Sequence, residues 1–138
     1  MKNKLIKVLL PLALLFSSSL MAETETPNQA AAAILSLLEE KNYDSIFTTR
    51  YTEWYKVEAA GVEPAVALEK FSKRWEKQYD MLISVYQQLK DAEFQFESSE
   101  IKQPGETGRV AVTTVKLGEK ELPFKLFEME NGTWGFHQ

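Results

Sequence analysis

Two residue types that carry much of protein chemistry are scarce in this 138-residue sequence, which has no cysteine and one histidine. Without cysteine the chain has no disulfide, no thiol nucleophile and no attachment point for a lipoprotein anchor. The single histidine, His137, lies one residue from the end of the chain, where a general base is poorly held within hydrogen-bond reach. We therefore expect no catalytic histidine, and we expect removal of His137 and Gln138 to leave the fold intact.

Motifs for nucleotide binding and nucleophilic catalysis are also absent. The sequence has no G-x-S-x-G, no P-loop and no G-x-G-x-x-G, so the chemistries that need them have no support. Its acidic residues do not pair with a histidine or a cysteine at the spacing of metal ligands. The sequence accordingly predicts a protein that is not an enzyme, with no catalytic residues, no metal and no cofactor.

Long hydrophobic runs are missing too. The longest apolar stretch, Val8 to Phe16, is interrupted by one proline and is about half as long as the ~20 residues of a membrane-spanning helix. Three lysines precede it, and three serines and Leu20-Met21-Ala22 follow it. This order is typical of a cleavable export signal. We predict that residues 1–22 are a signal peptide, that the mature protein begins at Glu23 in the periplasm, and that it has no membrane span after cleavage.

Basic residues are the minority in the mature chain. Residues 23–138 are 116 in number and carry 13 basic and 20 acidic side chains, a net charge of −7. This charge argues against nucleic acid and against anionic membranes as partners. A chain of this length makes one domain, so a single domain is predicted over 23–138.

The first two thirds of this domain have a helical pattern. Thr26 and Pro27 begin a capping box ahead of a first helix, after polar residues at 23–26 that we expect to be frayed. Asp44 is predicted to cap a second helix that ends at Gly61. A third helix is predicted over 65–90, with a bend or break near Lys77-Gln78, because no glycine or proline interrupts its apolar stripe.

The last third alternates between apolar and polar residues, which is typical of strands. Turn residues separate four such segments, and Asn131-Gly132 is the strongest hairpin signal among them. The sequence therefore predicts an α+β fold in which three N-terminal helices pack on a curved four-stranded antiparallel meander.

Two short stretches carry a family resemblance. Asn42-Tyr43-Asp44-Ser45-Ile46-Phe47 resembles a junction between the first two helices, and Glu130-Asn131-Gly132-Thr133-Trp134 resembles a final hairpin, of NTF2-like (cystatin-like) α+β cones. The resemblance covers residues 27–138. It implies a small-molecule pocket or a protein-binding module and, in some members, a dehydratase or isomerase that uses an Asp or an Asp–His pair. The three aspartates of this chain lie near predicted helix ends or faces, which departs from that enzymatic pattern.

Large aromatic side chains are the most informative group, with 15 in the mature chain. Most are expected in the core, while the open end of a cone would leave some of them to line a pocket. The best place is between the second helix and the sheet, because Tyr51, Trp54 and Tyr55 lie close together on a weak helix. The candidate ligand-binding residues are Tyr51, Trp54, Tyr55, Tyr79 and Phe124.

Three functions follow from these observations. The first is a small periplasmic binding module that holds an apolar or amphipathic molecule or a protein segment. The second is an envelope immunity or inhibitor protein, since a charge of −7 would steer a basic toxin. The third is a pocket enzyme of the dehydratase or isomerase type, which an enclosed cavity with a buried carboxylate would favour. A homodimer is compatible with each of them.

Overall fold

A computed structural model describes residues 24–51 and 60–137, and the predicted signal peptide lies outside these residues. Within them, four helices precede four strands. The helices are α1 (Pro27–Glu39), α2 (Tyr43–Arg50), α3 (Pro64–Lys77) and α4 (Tyr79–Leu89), and the strands are β1 (Gln95–Ser98), β2 (Glu106–Leu117), β3 (Lys120–Met129) and β4 (Trp134–Gly135). The strands pair antiparallel in the order β1-β2-β3-β4. The predicted α+β class and the antiparallel sheet of four strands are confirmed.

The predicted number of three helices is wrong, because the long third helix is divided at Gln78. This residue leaves helical geometry (φ −104°, ψ 14°), and its N–H donates to the carbonyl of Trp75 at 3.1 Å. The two halves have different partners: α3 packs against α2, whereas α4 packs against α1 and β2. A change of direction at Gln78 therefore lets each half bury its apolar stripe against its own neighbour.

The helix starts are set by side-chain caps. The predicted capping box is confirmed, with Gln29 N–H donating to the hydroxyl of Thr26 at 3.1 Å. The second helix begins earlier than expected, because Asn42 rather than Asp44 is its cap and accepts from Ser45 N–H at 3.2 Å. An uncapped helix end leaves backbone N–H groups without partners, so these contacts fix where α1 and α2 begin.

The second helix ends at Arg50, well before Gly61. The next residue, Tyr51, is extended (φ −84°, ψ 109°) and forms a parallel bridge with Phe136. The N–H of Phe136 donates to the carbonyl of Arg50 at 2.8 Å. Pairing with the end of the chain therefore takes precedence over the helical pattern here, and Tyr51 does not lie on a helical face.

The core lies between the helices and one face of the sheet. Trp75 is buried there, as are other residues of the apolar stripe that α3 and α4 share. The side chain of Asn28 ties α1 to the end of α4, since its amide donates to the carbonyls of Leu89 and Ala92 at 3.1 and 2.8 Å. The largest fully buried side chains are Trp134, Tyr86, Phe71, Ile34, Leu38, Ile46, Leu89 and Leu126.

The last strand covers only one end of β3. It pairs Gly135 with Phe127 and Trp134 with Glu128, after which the chain turns away toward Tyr51. Among the described residues, the stretch 120–126 of β3 therefore has a strand on one side only. Pro123 lies in this stretch, where a residue without an N–H is tolerated because no ladder bond is lost on the open side.

The expectation that residues 23–26 are frayed is wrong for Glu25. Its carboxylate accepts hydrogen bonds from the two terminal nitrogens of the Arg50 guanidinium, at 2.6 and 3.0 Å. Its backbone N–H donates to the carbonyl of Gly132 at 3.0 Å, and its own carbonyl accepts from the indole of Trp134 at 2.8 Å. The start of the described chain is thus bound to α2 by a partly buried ion pair and to the last hairpin by hydrogen bonds.

Candidate functional site

The predicted site residues fall in different places. Trp54 and Tyr55 lie outside the described residues. Tyr51 is half-buried, with its ring centroid 5.3 Å from that of Phe47 and 6.0 Å from that of Phe136. It borders a groove of about 210 Å³ between the end of α2 and α3. Its surroundings within the described residues are therefore a row of aromatic rings.

Tyr79 is separate from that row. It is the first residue of α4, and the Lys41 ammonium lies 4.8 Å from its ring centroid. Lys41 Nζ also donates to Glu76 at 2.8 Å, and the hydroxyl of Tyr43 donates to the same carboxylate. This corner joins the α1–α2 turn to α3, so Tyr79 belongs to a structural contact between helices.

The electrostatics of that corner follow from its hydrogen bonds. The bond from Lys41 and then that from Tyr43 lower the pKa of Glu76 below its usual range. The same Glu76 carboxylate raises the pKa of Lys41. Burial, followed by the bond to Glu76, raises the pKa of the Tyr43 phenol. These pKa shifts favour an ionised Glu76, a charged Lys41 and a protonated Tyr43 phenol, which are the states that this contact requires.

Phe124 lies in a different feature, a cleft of about 270 Å³ between the α3–α4 junction, β3 and the chain after β4. We call it the aromatic cleft, and define it by its lining residues, Arg74, Trp75, Gln78, Leu82, Tyr86, Phe124, Phe136 and His137. The early end of β4 explains its position, because Phe136 turns away from β3 and leaves Phe124 uncovered by a neighbouring strand. Phe124 is thus the predicted ligand-binding residue, among those described, that lines this cleft.

Tyr86 is the most deeply placed polar residue of the aromatic cleft. It is 1% exposed, its ring meets Phe124 edge-on at 5.8 Å, and burial raises the pKa of its phenol, against a smaller opposing effect of the Arg50 charge. No side-chain polar atom within residues 24–51 and 60–137 is both fully buried and without a hydrogen bond. The Tyr86 hydroxyl has no hydrogen bond to another of these residues. It must therefore keep some contact with solvent, and it can form a hydrogen bond with a molecule in the cleft.

His137, at the rim of the cleft, has an acid partner. Its Nε2 lies 2.5 Å from Oε2 of Glu106, whose side chain is 3% exposed against 26% for His137. The other carboxylate oxygen accepts from the N–H of Gln103 at 2.9 Å, and the imidazole stacks on Phe127 with 3.5 Å between the centroids. An ionised carboxylate only accepts hydrogen bonds, so a bond between an ionised Glu106 and His137 requires the hydrogen on Nε2. His137 was expected to be poorly held because it lies near the end of the chain, and the contact with Glu106 contradicts that expectation.

This pair was not predictable from spacing. Glu106 lies in a cluster of turn residues, 31 positions before His137. The register of β2 against β3 shifts between Glu106 and Val110, and only this bulge and the course of the chain after β4 place the two side chains together. A carboxylate in a turn carries no sequence signal for burial.

No group of three or more His, Asp or Glu side chains in the described ranges could hold a metal ion. Within the same ranges no helix is long and apolar enough to cross a membrane. Comparisons of the chain with protein-family models, with curated proteins and with solved structures found no match.

Proposed function

We propose that this chain is an exported, non-catalytic binding protein that holds a small apolar or amphipathic molecule in the aromatic cleft. The proposal assumes that residues 1–22 are an export signal and that the resemblance to NTF2-like cones holds. The ligand is now expected at the junction of α3 and α4, and not between the second helix and the sheet. Of the three candidate residues that the structure describes, Tyr51, Tyr79 and Phe124, the last lines the new position.

The observation that carries the proposal is the composition of the aromatic cleft around Tyr86. Four aromatic rings and a leucine line it, and ligand pockets are mostly apolar with a few placed polar groups. The cleft has a volume of about 270 Å³, just below the roughly 300 Å³ at which ligand pockets begin, so it suits a small ligand. A hydroxyl with unused bonding capacity inside apolar walls favours a ligand with one polar atom, since burying such a group unpaired is costly.

Native mass spectrometry of the purified mature protein tests the proposal. We expect a bound small molecule that leaves on denaturation. The variant Leu82→Trp should fill the cleft and lose this molecule, whereas Val66→Trp, at an exposed position of α3, should keep it. N-terminal sequencing of the same sample should begin at or near Glu23. Equal occupancy in both tryptophan variants would place the ligand elsewhere and refute the proposed site.

One observation favours a second function, a pocket enzyme that transfers a proton. A buried carboxylate holds one nitrogen of His137, and the imidazole lines an apolar cleft, which is how a general base is oriented. The binding function is preferred because the lining residues that the structure describes include no carboxylate, serine or lysine to act beside His137. His137→Gln distinguishes the two, since a binding protein keeps most of its affinity while an enzyme loses turnover.

A further inference from the structure

The first strand forms one edge of the sheet, and part of its backbone is turned outward. In the described part of the chain, β1 has β2 as its one neighbouring strand. The N–H of Ser99 donates to the carbonyl of Gly108 at 2.7 Å, so the backbone of Ser99 faces β2. Because backbone groups alternate along an antiparallel strand, the N–H and C=O groups of Phe96 and Ser98 point away from the sheet. These two residues offer donors and acceptors to an incoming strand.

The side chains of β1 give this edge two unlike faces. Glu97 lies on one face and Phe96 on the other, since successive side chains of a strand alternate. Phe96 is 49% exposed, and the guanidinium carbon of Arg109, which pairs with Glu128 at 3.4 Å, lies 4.2 Å from its ring centroid. Glu97 is exposed, and so is Glu93, just before the strand. One face of the edge is therefore acidic and the other aromatic.

A cleft of about 330 Å³ continues the acidic face across the sheet. Glu93 and Glu97 line it together with Val112 of β2 and Pro123 of β3. The stem of a lysine or arginine side chain can lie on apolar surface of this kind while its charged head reaches a carboxylate. The cleft thus fits basic side chains that project from a strand paired with β1.

From these features we infer that the edge of β1 binds an extended segment of a partner protein in which basic and apolar residues alternate. The segment adds to the sheet through the outward backbone groups of Phe96 and Ser98. Neighbouring side chains of paired strands lie on the same face, so its basic residues meet Glu93 and Glu97 while its apolar residues meet Phe96. The net charge of −7 of residues 23–138 attracts a basic partner over a longer distance.

Fluorescence anisotropy with three labelled peptides and the mature protein tests the inference. One peptide alternates lysine and valine, another alternates glutamate and valine, and the last has the lysines and valines of the first in two separate blocks. We expect the alternating basic peptide to bind about tenfold more tightly than the block peptide, because only the former matches both faces of the edge while it pairs with β1. The acidic peptide should bind most weakly.

Two results of this titration would overturn the inference. One is equal binding of the two basic peptides, which attraction by charge alone would produce. The other is the absence of binding by the alternating basic peptide. Neither result affects the proposed function, because the aromatic cleft lies at β3 and the chain after β4, at the opposite edge of the sheet.

Variants of Ser98 test the backbone contact. Ser98→Pro removes one outward N–H and no bond to β2, so it should weaken binding of the alternating basic peptide about two- to tenfold, the contribution of one hydrogen bond. Ser98→Ala is the matched control, because it keeps the N–H and should bind the peptide as the unaltered protein does. Equal affinities of the two variants would contradict pairing at this edge.

A second copy of this chain is a poorer occupant of the edge. Two β1 strands paired antiparallel would bring the glutamates of both copies to one face, and like charges on neighbouring strands are destabilising. In sedimentation equilibrium we therefore expect the unaltered protein and Ser98→Pro to have the same oligomeric state. A dimer that Ser98→Pro dissociates would assign the edge to a second copy and overturn the inference.

Charge variants test the acidic face separately from the backbone. Glu93→Gln combined with Glu97→Gln should weaken binding of the alternating basic peptide about two- to tenfold, as expected for two exposed ion pairs. The matched control is Glu39→Gln combined with Glu40→Gln, which removes the same charge at exposed positions at the end of α1. An equal loss of affinity in both double variants, or no loss in the first, would contradict the assignment.

Discussion

Replacing His137 by alanine should destabilise the protein, although the residue is next to last in the chain. The Glu106 carboxylate is 3% exposed and has two described partners, the Gln103 N–H and the His137 imidazole. Removing the imidazole leaves a buried charge with one hydrogen bond, and it also removes the stack on Phe127. Both losses act on the folded state.

The magnitude follows from the burial of each partner. Breaking a fully buried ion pair from one side costs about 3–5 kcal/mol, but His137 is 26% exposed and water would partly replace it. We therefore expect a loss of about 2–3 kcal/mol in the free energy of unfolding, which includes the roughly 0.5–1.5 kcal/mol of an aromatic stack. Deletion of residues 137 and 138 should cost a similar amount.

Urea unfolding followed by tryptophan fluorescence provides the assay, with Glu106→Gln and the double variant completing a cycle. If the two side chains stabilise each other, the double variant should be less destabilised than the sum of the singles by at least about 1 kcal/mol. A cost below about 0.5 kcal/mol for His137→Ala, the usual range for surface positions, with no coupling to Glu106 would refute the reasoning.

Three further predictions concern packing and charge. Trp75→Ala should cost about 3–5 kcal/mol in denaturant unfolding, and a loss under about 1 kcal/mol would contradict its burial. Arg50→Lys should cost about 1–3 kcal/mol, since it loses the fork to Glu25, whereas Lys73→Ala, in the exposed pair with Glu69, should change stability by less than about 0.5 kcal/mol. The pKa of Glu76 is lowered from 4.5 in the folded state, so its stabilisation is present above that pH and is lost as pH falls through the lower value. Glu76→Gln should therefore flatten the acid side of a curve of urea midpoint against pH, and an unchanged slope would contradict the shift.

Much of the element order was predictable because it depends on neighbours in the chain. The capping box at Thr26 and the turn at Asn131-Gly132 are local, and both lie where expected. A bend or break was predicted near Lys77-Gln78, but the sequence does not show its cause, which is that α3 and α4 pack on different elements.

Burial within the sheet depended on distant contacts and was predicted less well. Phe96 has the alternation of a core residue but is 49% exposed, because β1 is the edge strand and α4 packs on β2 instead. The residues of the aromatic cleft likewise differ in how far the sequence could predict them. Phe124 was identified because aromatic residues in a strand are common in pockets, whereas Tyr86 and His137 belong to the cleft only through the way the chain leaves the sheet after β4.

The open stretch of β3 also bears on pairing between strands of different molecules. Lys116 bonds through its backbone N–H and carbonyl to the side chain of Gln88, so its backbone faces away from β3. Thr114, two residues earlier and paired with Pro123, has the same orientation, and the nitrogen of Pro123 therefore points out of the sheet. An exposed strand edge is a template for intermolecular pairing and aggregation, and a proline at an outward position removes the donor that an incoming strand would need. One ring at position 123 thus interrupts the edge that the short last strand leaves open.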